Sequence, residues 1–315
     1  MLDRRSVVDF ILDNMRRTGD PLAATGDELS SWASGLPGPP SDVLLYTGHL
    51  YQLVPRMRSS LAALQALDSS PGSGLLLRAG RLAARALQLV PDGGLSSRVR
   101  AIMSNAVSLL RASGIEPAYA GPSEPYSGIL LHDLGLIDEF RDHARRVLEF
   151  LEASRASTVV TLDPHTTHAL RELYPRYVGR PPEVRHILEL VDPSRVSGRP
   201  GIADVKVHDS CLLSRNLNLH GRLREVLSAA GYRVHEPERS GTRTFCCGGP
   251  LSSLFPKVAS EISRRRMEQL SGLPGPAVSA CPVCLANLGA AGLGEVLDWL
   301  EIVRARDRWR PTSSS

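Results

Sequence analysis

The chain has 315 residues, is 42% hydrophobic and 22% charged, and carries a formal net charge of +4. That apolar content is too high for a disordered chain, and 27 glycines with 23 prolines show no collagen-like period. Only Lys206 and Lys257 of the 37 basic residues are lysines. With aromatics at 5%, no stacking platform accompanies the arginines, which sets nucleic-acid binding aside; the run Arg264–Arg266 reads as a solvated helix face.

In chain order, residues 1–6 lead into an amphipathic, charged stretch, unlike the plain apolar core of a secretory signal. From Asp3 to Arg17 apolar residues fall at Val7, Val8, Ile11, Leu12 and Met15, the stripe of an amphipathic helix. Pro37–Pro40 reads as a linker, and Asp42–Leu50 as a buried parallel strand ending in a polar turn. Leu61–Leu67, Leu75–Val90 and Arg98–Ala112 have helical spacing and form a helical insertion. His132–Leu151 is a further amphipathic helix, feeding the apolar strand Thr158–Leu162. Gly198–Gly201 makes a loop, after which Asp204–Leu212 repeats the strand-and-turn pattern. Gly221–Ala230 and Pro256–Leu270 read as helices, and Glu295–Arg304 precedes a Ser-rich tail. Strands alternating with helices predict an α/β fold with small parallel sheets, whose ligands gather at the carboxyl ends of the strands. The longest charge-free run, residues 269–294, holds three prolines and two cysteines, a poor bilayer helix. The expectation is a soluble, cytoplasmic protein, associated with a membrane only through a partner.

An internal repeat organises the chain. Asp42–Leu50 parallels Asp204–Leu212, Tyr126-Ser127-Gly128 parallels Cys246-Cys247-Gly248, and Val160–Thr166 parallels Val278–Cys284. The predicted division is an N-terminal helix and linker (1–40), a degenerate module without cysteines (41–200) and a cysteine-rich module (201–315). His49, Tyr126, Ser127, Asp163 and Thr166 stand where the second module has sulfur. Hydroxyls and a carboxylate are weak partners for the soft iron of a cluster. His49, Asp163, His165 and His168 are donors for a hard N/O metal site; the alternative is that Asp163 caps a helix opening at Pro164.

The five cysteines, Cys211, Cys246, Cys247, Cys281 and Cys284, all lie in the second module. An odd number, a vicinal pair and a Cys-Pro-x-Cys turn make a poor disulfide framework. Zinc would use four thiolates and leave one idle, whereas an iron–sulfur cluster of unusual shape would use all five.

The runs His208-Asp209-Ser210-Cys211, Phe245-Cys246-Cys247-Gly248-Gly249 and Ala280-Cys281-Pro282-Val283-Cys284 resemble the cysteine-rich CCG motif. That motif marks the catalytic subunit of heterodisulfide reductases and its relatives, including glycolate and lactate oxidation subunits and anaerobic glycerol-3-phosphate dehydrogenase subunits. Those relatives generally carry two cysteine sets; this chain has one. The resemblance implies one non-cubane [4Fe-4S] cluster on the five thiolates, with zinc as the alternative. It also implies an iron–sulfur oxidoreductase subunit acting on a small disulfide or thiol, the rival being a non-catalytic relay or assembly subunit. His208 and Asp209 are candidate catalytic residues that supply protons or tune basicity; equally, they orient Cys211. Asn14–Pro21 resembles the segment following the ferredoxin-like part of fused relatives, and no Cys-x-x-Cys-x-x-Cys run is present. Electrons are therefore expected from a ferredoxin-like iron–sulfur subunit, with a flavin subunit as a further partner. That first subunit is expected to dock on the stripe Val7, Ile11 and Met15 and on the turns at His49 and His165.

Overall fold

The structure, a computed structural model, describes residues 3–68 and 94–306; the expected helix Leu75–Val90 and the Ser-rich tail lie outside the described residues. It is a mixed α/β fold. The first parallel sheet contains β1 (Val43–Leu45), β2 (Ala118–Tyr119), β3 (Thr158–Thr161) and β4 (Glu183–His186), in the order β2-β1-β3-β4. After β5 (Val196–Gly198), the second sheet contains β6 (Asp204–Val207), β7 (Arg233–His235), β8 (Ala277–Ser279) and β9 (Val296–Asp298). Its order, β7-β6-β8-β9, is the first order repeated strand for strand. Finally β10 (Val303–Ala305) pairs antiparallel with β5, Val303 opposite Gly198 and Ala305 opposite Val196. Each half thus contributes its fifth strand to a ribbon joining the two.

The strands are short because burial on both faces limits them to aliphatic runs: Leu44 and Leu45 lie against Val159 and Val160, and Val207 against Val278. Helix Arg4–Thr18 begins where Asp3 accepts from the backbone N–H of Arg5 and ends at Gly19. Its stripe does not serve as a docking face. Val7, Ile11 and Met15 are 4%, 3% and 8% exposed and pack into the core with Tyr46, Tyr126 and Leu131. An amphipathic stripe reports burial without saying in which molecule.

Helix Val54–Asp68 begins seven residues before the expected Leu61. The stretch read as one helix from His132 is two, Ile129–Asp133 and Ile137–Ala153, separated by a turn in which the N–H of Leu136 donates to Leu131 O. Helix Leu95–Ala112, the end of the helical insertion, packs against the second module. Arg98 reaches Glu301 at 2.8 and 2.9 Å, and Asn105 Nδ2 donates to Leu300 O and Val303 O at 2.7 and 2.6 Å. Its apolar face, with Ile102, Met103 and Ala106, shares one core with β1, β3 and the second sheet.

Candidate metal centre

Cys211 follows β6 and Cys281 follows β8, adjacent strands of one parallel sheet, so both sulfurs sit at its carboxyl edge. Cys246 and Cys247 arrive on the loop between the turn Gly241–Arg243 and the turn Gly249–Leu251. Cys284 follows one turn into helix Pro282–Ala290, whose N-cap is Cys281. The loop is fixed by close packing. Gly248 has φ +82°, and a Cβ there would lie 2.7 Å from Ala259 O; a Cβ on Gly249 would lie 2.2 Å from Val283 Cγ1. The Cys247 carbonyl accepts from Ser263 Oγ at 2.7 Å and Asn287 Nδ2 at 3.1 Å.

The five sulfurs form one connected run. Cys211 touches Cys246, Cys246 touches Cys247, Cys247 meets Cys284 at 3.3 Å, and Cys284 touches Cys281. Cys247, Cys281 and Cys284 are buried, while Cys211 and Cys246, at one end of the run, are half-buried. Backbone N–H groups of Gly248 and Gly249 point at Cys246 Sγ and Cys247 Sγ at 3.3 and 3.4 Å. Contact with Cys211, then Cys247, holds Cys246 down at about 2, while Cys246 pushes Cys247 up and Cys247 pushes Cys284 up. Burial raises Cys281, but Cys284 and His165 outweigh it and keep that thiol well below its usual value. Touching thiols must share protons between neighbours, and a soft metal cluster replaces those protons with positive charge. The donor set therefore fits an iron–sulfur cluster. Among the described residues, the group close enough to share a metal ion is His208, Cys247 and Cys284, within 4.8 Å of one another.

The residues around the sulfurs divide the work. Asp209 is fully buried and takes a bidentate pair from Arg224 at 2.7 and 2.8 Å, plus the Gly241 N–H at 2.6 Å. Burial alone would raise its carboxyl, but the Arg224 hydrogen bonds and charge outweigh that and hold it below the usual range. Its backbone carbonyl takes Thr244 Oγ1 at 2.9 Å, so this one residue ties the β6 turn to the loop entering Cys246. His208 is buried with Nδ1 facing Arg266 Nε at 3.0 Å. Burial, then Arg266, pulls its pKa down to about 3.

Arg266 is the residue that sequence reasoning missed. Arg264 and Arg265 do face solvent, pairing with Glu261 and Glu268, but Arg266 is 0% exposed. The signal was legible: Ala259, Ser263, Arg266 and Leu270 recur at helical spacing on the buried face of helix Pro256–Ser271.

In the first module the equivalent positions do not converge on a metal site. Asp163 caps helix Pro164–His168, accepting from the N–H groups of His165 and Thr166 at 2.8 and 2.9 Å. The capping alternative is the observed one. A Cβ on Gly48 would lie 2.4 Å from Thr166 Oγ1 and 3.0 Å from Ser127 Cβ, so the Thr166 and Ser127 side chains close the space against the Gly48 backbone. His49 turns away, with φ +68°, to lie 3.8 Å from Asp20 and 3.7 Å from Glu124. His165 instead crosses to the second module and hydrogen-bonds Cys281; burial pulls that imidazole down, but the Cys281 thiolate outweighs it and carries it up to about 9. Nearby, Tyr51 Oη donates to Asp298 at 2.8 Å. His49 and His165 are 4% and 5% exposed, which removes them from an external docking surface.

Three relatives match the chain over 58% of its length. A probable membrane-anchored ferredoxin of Chromohalobacter salexigens is 32% identical over 201 residues, covering 29% of that protein. A probable iron-sulfur-binding oxidoreductase, FadF, of Bacillus subtilis is 32% identical over 190 residues, covering 27% of it. An EtfAB:quinone oxidoreductase of Syntrophomonas wolfei is 28% identical over 198 residues, covering 28% of it. The chain thus spans less than a third of the length of these relatives. With the sulfur run at the carboxyl edge of β6 and β8, residues 205–289 match the family model of the CCG cysteine-rich domain.

Proposed function

We propose that this chain is the cluster-bearing part of an iron–sulfur oxidoreductase, holding one non-cubane [4Fe-4S] cluster on Cys211, Cys246, Cys247, Cys281 and Cys284. The observation that carries the reading is the unbroken contact run of five thiols, half-buried at its Cys211–Cys246 end. When bound, such a cluster supplies single-electron steps, and at that end the chemistry that suits it is cleavage or formation of a small disulfide. Cys247, Cys281 and Cys284 exclude water from the inner side, and Asp209, held by Arg224, acts as a clamp positioning Cys211 and Cys246. Its carboxylate has no proton to give while Arg224 occupies both oxygens. Electrons come from a ferredoxin-like iron–sulfur centre or a flavoprotein.

A second reading, a relay without its own substrate, is favoured by the relatives' names, a ferredoxin and an oxidoreductase joining EtfAB to quinone. Membrane contact then comes through other parts or partners: among the described residues no helix is long and apolar enough to cross a membrane.

Anaerobically purified protein should be brown and hold about four irons per chain. Cys246→Ser and Cys247→Ser should each lose iron and visible absorption, whereas His49→Ala should keep both. Turnover of a small disulfide by the iron-replete protein separates the first reading from the relay. Colourless protein carrying one zinc sinks both.

A further inference from the structure

Arg266 is a fully buried guanidinium with no carboxylate in direct contact among the described residues. Nε donates to His208 Nδ1, and Nη1 to Arg239 O and Gln269 Oε1, each at 3.0 Å. Nη2 has no hydrogen-bond partner among the described residues, and no carboxylate lies within ion-pair distance. The Asp209 carboxylate is already engaged by Arg224. A buried cation whose nearest carboxylate is already paired elsewhere calls for a further counter-charge nearby. The charge that acts on this guanidinium most is that of Asp209, which Arg224 already shares, and next come the sulfurs of Cys284 and Cys247, the partners not otherwise neutralised by a cation.

His208 stands between. A guanidinium only donates, so His208 Nδ1 must accept, which excludes the doubly protonated ring and places its hydrogen on Nε2. Nε2 is buried and without a partner among the described residues, and a nitrogen of this ring lies within 4.8 Å of Cys247 Sγ and Cys284 Sγ.

We propose that Arg266 and His208 form the buried positive side of the centre: Arg266 fixes the His208 tautomer, the Nε2–H donates to the sulfur side, and the pair raises the centre's reduction potential. This rests on the cluster reading above. A reduced cluster carries one more negative charge than an oxidised one, so a fixed N–H donor and a buried cation favour reduction. His208 is then a positioning residue, with no proton transferred.

The test is an EPR-monitored redox titration of anaerobically purified full-length protein, with iron and sulfide measured first. Arg266→Met should retain iron, and its reduction equilibrium should shift at least tenfold toward the oxidised form, about 59 mV for one electron. Arg266→Lys, which restores the charge without the fork, should recover part of the shift. His208→Gln, whose amide keeps an N–H donor, should lie closer to wild type than His208→Leu. Iron-replete Arg266→Met and His208→Leu proteins with the wild-type potential overturn the proposal and leave the cluster reading standing. If Arg266→Met fails to hold iron, the His208 pair decides by the same criterion. A wild-type protein without iron overturns the cluster reading and this proposal together.

Discussion

Glu124 offers a stability test independent of the sulfurs. Its carboxyl is buried in the first module, accepts the Thr47 N–H at 3.1 Å on both oxygens, bonds the Thr47 hydroxyl, and lies 3.7 Å from His49 Nε2. Burial outweighs these partners and raises it from 4.5 to about 7. Between those values the folded protein binds a proton that the unfolded chain has released. Wild-type stability should therefore fall as pH rises through this window and level off above it. Two and a half decades at 1.36 kcal/mol each correspond to about 3 kcal/mol by pH 8. Glu124→Gln keeps the shape of the protonated side chain but cannot ionise. Its stability relative to wild type should rise from pH 5 to pH 8 by up to that amount. Thermal midpoints of the two proteins, recorded in the same cofactor state, should separate by several degrees at alkaline pH. Midpoints running in parallel from pH 5 to pH 8 would show that Glu124 is charged throughout and that His49 and Thr47, not burial, govern it.

Arg224→Met should destabilise the fold by about 3 kcal/mol, because it leaves the buried Asp209 carboxylate unpaired. Asp209 is held below its usual pKa, so this contribution is present above the unfolded value and lost on acidification; urea unfolding should show the deficit shrinking toward acid pH. Equal midpoints at neutral pH would remove the clamp. Ile11→Ala should cost about 2–4 kcal/mol, since the side chain is 3% exposed in the core, and should show up as a lowered unfolding midpoint of the isolated chain. An unchanged midpoint would return that stripe to the surface.

The sulfur ligand candidates, the α/β class and the repeat were legible because each leaves a local mark: cysteine spacing, aliphatic runs, and a turn recurring with different side chains. Partnership was not. Val7, Ile11 and Met15 spell an amphipathic helix, but only the tertiary fold says that Tyr46 and Tyr126 cover it. Arg266 was legible by its helical spacing with Ala259, Ser263 and Leu270, but two solvated arginines before it suggest a third. One further correspondence went unread. His186-Ile187-Leu188-Glu189 after β4 and Asp298-Trp299-Leu300-Glu301 after β9 form the same capping box, with the first residue accepting from the third N–H and the glutamate reaching back. An imidazole and a carboxylate look unrelated in sequence, yet both accept that hydrogen bond.

His165 changes what a duplicated fold is for. It lies between Asp163 and Thr166, the two positions where the first half would have placed sulfur, and it spends its side chain on Cys281 of the second. The half without cysteines thus lends a side chain to the thiols of the other. A substitution at His165 should therefore be felt at the Cys281 thiol of the other half. Separating the two halves would uncover Cys281 and leave Asp298 without Tyr51. The symmetry survives in the strand order, while the contacts at the sulfur site are made by unlike residues of the two halves.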